Sequence, residues 1–409
     1  MRKSLFTLFA LVCTLVTSAT DRIVEEFGTS PTYSSISSAV AAAVDGDRII
    51  IKNRAGNVPW IENITVNKSL SFLSYDNNSQ FVVQGNYTIG IAEGREVTII
   101  GMKNTSGHIY TGFESAPIRS TKVNIMDCWF LAGTVVLDSF AYDTQFVGNK
   151  LDAGYCIISF GNVIGNDITS PISSLSITNT WTFNNDTCYI VGNKFTSLSA
   201  GANALYVNGS AQVYHIKNNL IYSNGIAMEL RTGNNNAVAN QIWNNTIVAG
   251  TYSGTQYGIY FEQTASNSIW EVMNNVLDEL TLGPTFGVYR QASANGQINV
   301  YYNVINSSYT NELLGLFTFA GNNIIDQTFA LNTDGTLPVG NPAINGGNPS
   351  SPFYDLDLTP GDAGAYGGSY TLDNFFPLFT GAARVYFVKF PFNVRQGTTL
   401  NIKAYGFDR

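Results

Sequence analysis

Hydrophobic and polar positions alternate with a period of two over short stretches of this chain, and turn residues rather than helical segments separate those stretches. One local pattern keeps returning: HIKNNLIY at 215–222, QIWNNTIV at 241–248 and EVMNNVLD at 271–278. Aligning the second asparagine, followed by any residue and then a hydrophobic one, gives a column of Asn149, Asn166, Asn193, Asn219, Asn245, Asn275, Asn303 and Asn323. Cys128 fills the same slot one step earlier. Successive spacings are 21, 17, 27, 26, 26, 30, 28 and 20 residues. A period in the twenties with variable length means one supersecondary unit per repeat, with insertions confined to loops. Hairpins would need two-residue turns such as Asn-Gly at regular positions, and these do not recur. The pattern instead predicts an all-β chain that winds in one direction, each strand parallel to its counterpart in the coil below at about 4.8 Å.

In such a stack, equivalent residues sit directly above one another. Asn tolerates the left-handed conformation that sharp turns require, and its amide both donates to and accepts from the Asn above and below. The column therefore reads as a structural ladder that sets the register, not as an active-site signature. The stack also needs a plug at its start, because its apolar interior and open strand edges would otherwise meet water. A short amphipathic helix at about Ser35 to Ala43, carrying Ile36, Val40 and Val44, suits that task, and a first strand follows at Arg48 to Lys52.

The front segment TYSSISSAVAAAVDGDRIIIKNRAGNVPWIENITVNKSLSFLS and the segment GNPAINGGNPSSPFYDLDLTPGDAGAYGG at 340–368 carry a resemblance. Together with the repeat they are similar to secreted proteins of the pectate-lyase-like superfamily, of the type common in Bacteroidetes. The resemblance implies a right-handed parallel β-helix (solenoid) over 20–377 with an N-terminal capping helix. Residues 378–409 are then a short C-terminal β extension or cap. It speaks for the fold and little for an activity. Polygalacturonase-like members carry an Asp-Asp pair and histidine contexts that this chain lacks, its histidines being His108 in SGHIY and His215 in YHIKN. His215 aligns with Gln241, Glu271 and Asn299 and reads as surface polar.

With the interior filled, function belongs on an outer face or in loops. Four segments align: ALYVN (204–208), GIAMEL (225–230), GIYFEQ (258–263) and GVYRQ (287–291). The second position, Leu205, Ile226, Ile259 and Val288, points inward. By alternation the third (Tyr206, Ala227, Tyr260, Tyr289) and the fifth (Asn208, Glu229, Glu262, Gln291) point outward. This predicts a tyrosine stripe beside amides and carboxylates, extended by Arg231. Two readings stay open. Aromatic rings beside hydrogen-bonding side chains suit the ring faces and hydroxyl rims of a sugar chain, with Tyr206, Asn208, Tyr260, Tyr289 and Gln291 as contacts; alternatively, exposed tyrosine simply favours strands. Glu229 and Glu262 are also catalytic candidates. At roughly 5 Å apart they would match a retaining glycosidase pair, or they would hold Ca²⁺ with Arg231 as the base of a uronate lyase. Asp355, Asp357 and Asp362 in DLDLTPGDAG offer either Ca²⁺ ligands or turn hydrogen bonds, without EF-hand spacing. No cofactor is required.

Composition narrows the partners. Hydrophobics make up 44% and charged residues 12%, too apolar for disorder, and the net charge of −8 leaves no electrostatic footprint for nucleic acid. The first residues, MRKSLFTLFALVCTLVTSA, show a basic start, an apolar run and small residues ending at Ala19, which predicts a secretory signal over 1–19. No later segment reaches the roughly 20 apolar residues that span a bilayer. Cys128, Cys156 and Cys188 form either one disulfide and one thiol or three buried thiols. The expected function is a secreted or cell-surface β-helix that binds polysaccharide on an outer sheet face. A polysaccharide lyase or glycoside hydrolase of the same fold, and an adhesin or structural surface protein without a glycan ligand, are the alternatives.

Overall fold

The computed structural model describes residues 19–112, 121–137, 141–179, 187–209, 213–232, 238–280, 283–380, 383–389 and 399–407. The expected signal over 1–19 thus lies outside the described residues, apart from Ala19. Three parallel sheets of 13, 11 and 11 strands wrap one continuous core. Each coil gives one strand to each sheet: in a middle coil, Val213–Lys217 to the first, Leu220–Ser223 to the second and Ile226–Thr232 to the third. Every strand pairs in parallel with its counterpart one coil away, the one-directional winding expected of a parallel β-helix.

The period-two pattern works because one face of each strand is interior. In the first sheet the inward column runs Ile49, Phe72, Ile99, Ile125, Phe146, Val163, Ile190, Ile216, Ile242, Val272 and Val300. All are fully buried, each burial contributing about 1.5–3 kcal/mol before chain entropy is counted. Cys128, Cys156 and Cys188 are buried free thiols in this core.

A two-residue corner joins the first sheet to the second. Its first residue takes the left-handed conformation, with φ between 51° and 67° at Asp127, Gly148, Gly165, Gly192, Asn218, Asn244, Asn274, Tyr302 and Asn322. The ladder asparagine is the second residue, so the left-handed position expected for the column belongs to its predecessor. The Oδ1 of each ladder Asn, from Asn166 to Asn323, accepts both the backbone N–H and the Nδ2–H of the one a coil earlier, at 2.8–3.1 Å. Cys128 begins the ladder by donating its backbone N–H to Asn149 at 3.0 Å.

The plug helix spans Ile36–Ala42, capped by Ser35, and buries Ile36, Ala39 and Val40. Glu62 accepts the N–H groups of Ile36 and Ser37 at 2.9 and 2.8 Å, and Lys68 donates to the carbonyls of Val40, Ala41 and Ala43 at the other end. These charges oppose the helix dipole at both ends. Val44, expected in the plug, is 50% exposed because the helix stops before it. An unexpected strand, Asp21–Val24, precedes the helix and pairs with Arg48–Ile51.

After the last coil, Ile325 still packs against the main core. The following segment returns as a strap along the two-residue corner, touching Asn274, then Asn244, then Asn218. Its Phe375 packs with Ile164 and Val191. An antiparallel hairpin, Arg384–Lys389 with Lys403–Phe407, follows, and its Tyr386 and Phe387 join a cluster with Ile100, Met126 and Val147. The strap covers an outward column of the first sheet whose register runs Leu73, Ile100, Met126, Val147, Ile164, Val191, Lys217, Trp243, Met273 and Tyr301. Lys217 is the one charged member.

Candidate functional site

The third sheet carries the predicted stripe, with one correction to its register. Leu205, Met228, Ile259 and Val288 form the inward column, and Tyr206, Glu229, Tyr260 and Tyr289 the neighbouring outward one. Ile226 therefore pairs with Tyr257, not with Ile259, and Ala227, expected to face out, is 1% exposed. The mistaken alignment matched two Gly-Ile pairs, but Gly225 lies in the turn before its strand whereas Gly258 lies inside Gln256–Phe261. The true signal is a column of small residues, Ala204, Ala227, Gly258 and Gly287. A Cβ on Gly258 would meet the carbonyl oxygen of Gly287 at 2.6 Å, which requires glycine there.

Arg231 reaches the site through a β-bulge. Val207 pairs with Leu230 and Asn208 with Thr232, leaving Arg231 as the extra residue and turning it outward beside Glu229. Its Nε stands 2.8 Å from Glu229 Oε1 and 2.6 Å from Glu262 Oε2. The guanidinium also lies 5.5 Å from the centre of the Tyr206 ring, whose hydroxyl accepts from Asn208 Nδ2 at 3.1 Å. Asn203 donates its amide to the other oxygen of Glu229. Glu229 is buried while the Arg231 side chain is 45% exposed, so the carboxylate anchors a guanidinium that water can reach.

The two carboxyl groups touch. The hydrogen bond that protonated Glu262 donates to Glu229, then burial, raise the pKa of Glu262 above its ordinary value, with Arg231 opposing them. Hydrogen bonding to Glu229 raises the pKa of Arg231 above its ordinary value.

Beside this cluster lies a four-ring ridge. Tyr257, Tyr260, Phe286 and Tyr289 stack with centroid separations of 4.8–5.6 Å and interplanar angles of 5–35°. Their faces cover one another, so edges and hydroxyls meet solvent. Burial, then the charge of Glu262, push the Tyr260 phenol up to about 12, and its O–H donates to Gln291. Sequence reasoning missed Tyr257 and Phe286, although the tetrads YGIY and FGVY display them beside the small-residue column.

The acidic turn serves a different end. Asp355 accepts the N–H groups of Gly368 and Asp362 at 2.6 and 2.9 Å, Asp357 that of Thr359 at 3.0 Å and Asp362 that of Asn345 at 2.7 Å. Their oxygens hold the strap in shape, and among the described residues no three His, Cys, Asp or Glu side chains converge as a metal would require. His215 has the expected register neighbours but is half-buried: the hairpin partly covers it, and Tyr189 meets it edge-on at 5.2 Å.

No protein-family model and no curated protein matches the chain. A solved rhamnogalacturonan lyase is similar with a TM-score of 0.33 and 12% identity, over 79% of this chain and 96% of that one. The fold assignment rests on the strand register of the chain itself.

Proposed function

We propose that this protein is a secreted or surface-displayed β-helix that binds polysaccharide across the outer face of its third sheet, between Asn203 and Gln291. The observation that carries the reading is the Arg231 cluster beside the aromatic ridge. Planar hydrogen-bonding groups and half-buried rings are held on neighbouring strands of one rigid sheet, so little side-chain entropy is lost on binding. Sugar hydroxyls would bridge Arg231, Glu262, Asn208 and Gln291, and the saccharide would lie along the ring edges, not between the rings. Two carboxyl groups share one guanidinium, which favours neutral sugars over uronates.

Glycan-array binding of the wild type and of Tyr260→Ala/Tyr289→Ala and Arg231→Leu variants tests the reading. Retention of a neutral glycan that both variants lose supports it. An array without hits, or variants that bind as the wild type does, would sink it, and unsaturated products absorbing in the ultraviolet would redirect it to a lyase.

A further inference from the structure

A second site lies elsewhere on the molecule, at the corner between the second and third sheets in three successive coils near the start of the stack. An open polar cleft of about 400 Å³ lies there. Its floor is bare backbone. A Cβ on Gly85 would meet the carbonyl oxygen of Glu62 at 2.0 Å, and one on Gly107 that of Gly85 at 2.1 Å, so both positions require glycine. Gln84 and Ser106 precede these glycines, Asn86 and His108 follow them, and all four line the cleft together with Asn63.

Asn63, Asn86 and His108 form a second ladder, one rung per coil. Asn63 Oδ1 accepts the backbone N–H of Asn86 at 2.9 Å, Asn86 Oδ1 that of His108 at 2.8 Å, and His108 Nδ1 that of Thr134 at 3.1 Å. A backbone N–H can only donate, so Nδ1 is the unprotonated ring nitrogen and Nε2 carries the proton. Each rung commits its acceptor to the next coil and keeps an N–H. The Nδ2 of Asn63, the Nδ2 of Asn86 and the Nε2 of His108 meet no acceptor among the described residues. The fold does not call for these donors, because an aspartate would supply the same rung acceptor at Asn63 or Asn86. They stand in a row at the coil spacing of about 4.8 Å.

We propose that this cleft binds a neutral β-1,4-linked oligosaccharide lying along the stack, with the three N–H groups donating to successive sugar residues and Gln84 and Ser106 hydrogen bonding from the other side. The site does not depend on the reading given for the third-sheet face. An extended chain of this linkage rises per residue by nearly the coil spacing, so the donors and the sugars stay in step. Rungs fixed by the coil below lose little freedom on binding. Ile61, 70% exposed at the rim, offers apolar contact to a ring face. An acidic chain is disfavoured, because no lysine or arginine lines the cleft and the carboxylate of Glu62 does. That carboxylate is already held by the N–H groups of Ile36 and Ser37. The His108 tautomer also leaves Nε2 without a lone pair for a metal ion.

The chain has two histidines, His108 and His215, so ¹⁵N-histidine labelling of the full chain gives two sets of ring signals, which a His108→Gln variant assigns. Titration near pH 8 with cellohexaose, xylohexaose and mannohexaose, and with hexagalacturonate as the acidic counterpart, tests the site. The free protein should show His108 with its proton on Nε2. At least one neutral hexamer should shift the His108 signals saturably, leave those of His215 in place and bind tenfold or more tighter than hexagalacturonate. Asn63→Asp/Asn86→Asp keeps both rung acceptors and removes both donors, and should weaken binding at least tenfold. Gln84→Ala, whose side chain takes no part in the ladder, should weaken it several-fold, and thermal melts check that both variants fold. Tyr260→Ala/Tyr289→Ala should leave the His108 response unchanged, so failure of the third-sheet reading and failure of this one are told apart. A proton on Nδ1, no hexamer moving the His108 signals, hexagalacturonate binding as tightly, or wild-type affinity in a folded Asn63→Asp/Asn86→Asp variant would each overturn the proposal.

Discussion

Asn218 holds the carbonyl oxygen of Gly367 at 2.7 Å, across 149 residues of chain, and holds that of Ala365 at 3.1 Å with the same amide. Its neighbour Asn219 never meets the strap: its amide donates to Asn245 in the next coil at 2.9 Å and to the Ile190 carbonyl at 2.9 Å. The recurring asparagine pair thus divides two tasks. The first member makes the left-handed corner and grips the strap, and the second joins coil to coil. Replacing Asn218 by Gly keeps the corner but removes the grip. We expect a loss of about 1–2 kcal/mol and faster proteolysis beyond residue 340, measured by denaturant melts and limited digestion.

Asn219→Ala should be costlier. It leaves the Asn193 donors and the Ile190 carbonyl of the preceding coil without the amide and removes one of the two bonds to Asn245, for an expected loss of about 3 kcal/mol or more, read from urea unfolding.

Lys217→Met should raise stability, and by an amount that depends on pH. The folded amine titrates near 7 against an ordinary 10.5, so the unfolded chain holds the extra proton between these values. Wild-type stability therefore rises as pH increases from about 7 towards 10, and the penalty is fully present below 7. The variant should lack that rise, and its advantage near neutrality should be on the order of 4 kcal/mol at most. Thermal melts from pH 6 to 10 check the slope.

Arg231→Leu leaves Glu229 and Glu262 in contact without their shared cation. We expect a loss of about 1–2 kcal/mol near pH 7, moderated by the exposure of the guanidinium. The raised pKa of Glu262 should rise further, so the variant's deficit should shrink as pH falls and the pair takes up a proton. Glu262→Gln on the Arg231→Leu background should remove that pH dependence.

Cys128, Cys156 and Cys188 should resist a thiol-specific reagent in the folded protein and react once it is denatured. Burial pushes the Cys188 thiol up to about 12 and that of Cys156 higher still, so neither supplies thiolate at neutral pH. A reducing agent should leave the melting temperature of the described fold unchanged.

Much of this architecture was legible because winding repeats its constraints. Each coil needs one buried amide at the same corner, so Asn149 to Asn323 announce themselves despite uneven spacing. The third-sheet register was less legible. Gly225 and Gly258 look alike in sequence but occupy a turn and a strand, and only the steric demand at Ala204, Ala227, Gly258 and Gly287 separates them. The bulge at Arg231 has no local signature, since it exists only relative to the strand of the coil before it. His215 was misplaced in solvent because the segment that covers it arrives from more than 150 positions later in the chain. The apolar residue before most corners, as in Val147, Ile164 and Val191, was the sign that something covers that flank.

The strap also changes how the stack can come apart. A solenoid held only by neighbouring coils can open from one end, a coil at a time, since each coil is secured by contacts to the next alone. Here a single returning segment is fastened to Asn274, Asn244 and Asn218 and then, through Phe375, to the coils of Val191 and Ile164. Unzipping any one of these coils strips an anchor from the segment that secures the rest. The middle of the array should therefore melt as one cooperative block, and hydrogen exchange should report a shared opening energy across these coils in place of a gradient from the end.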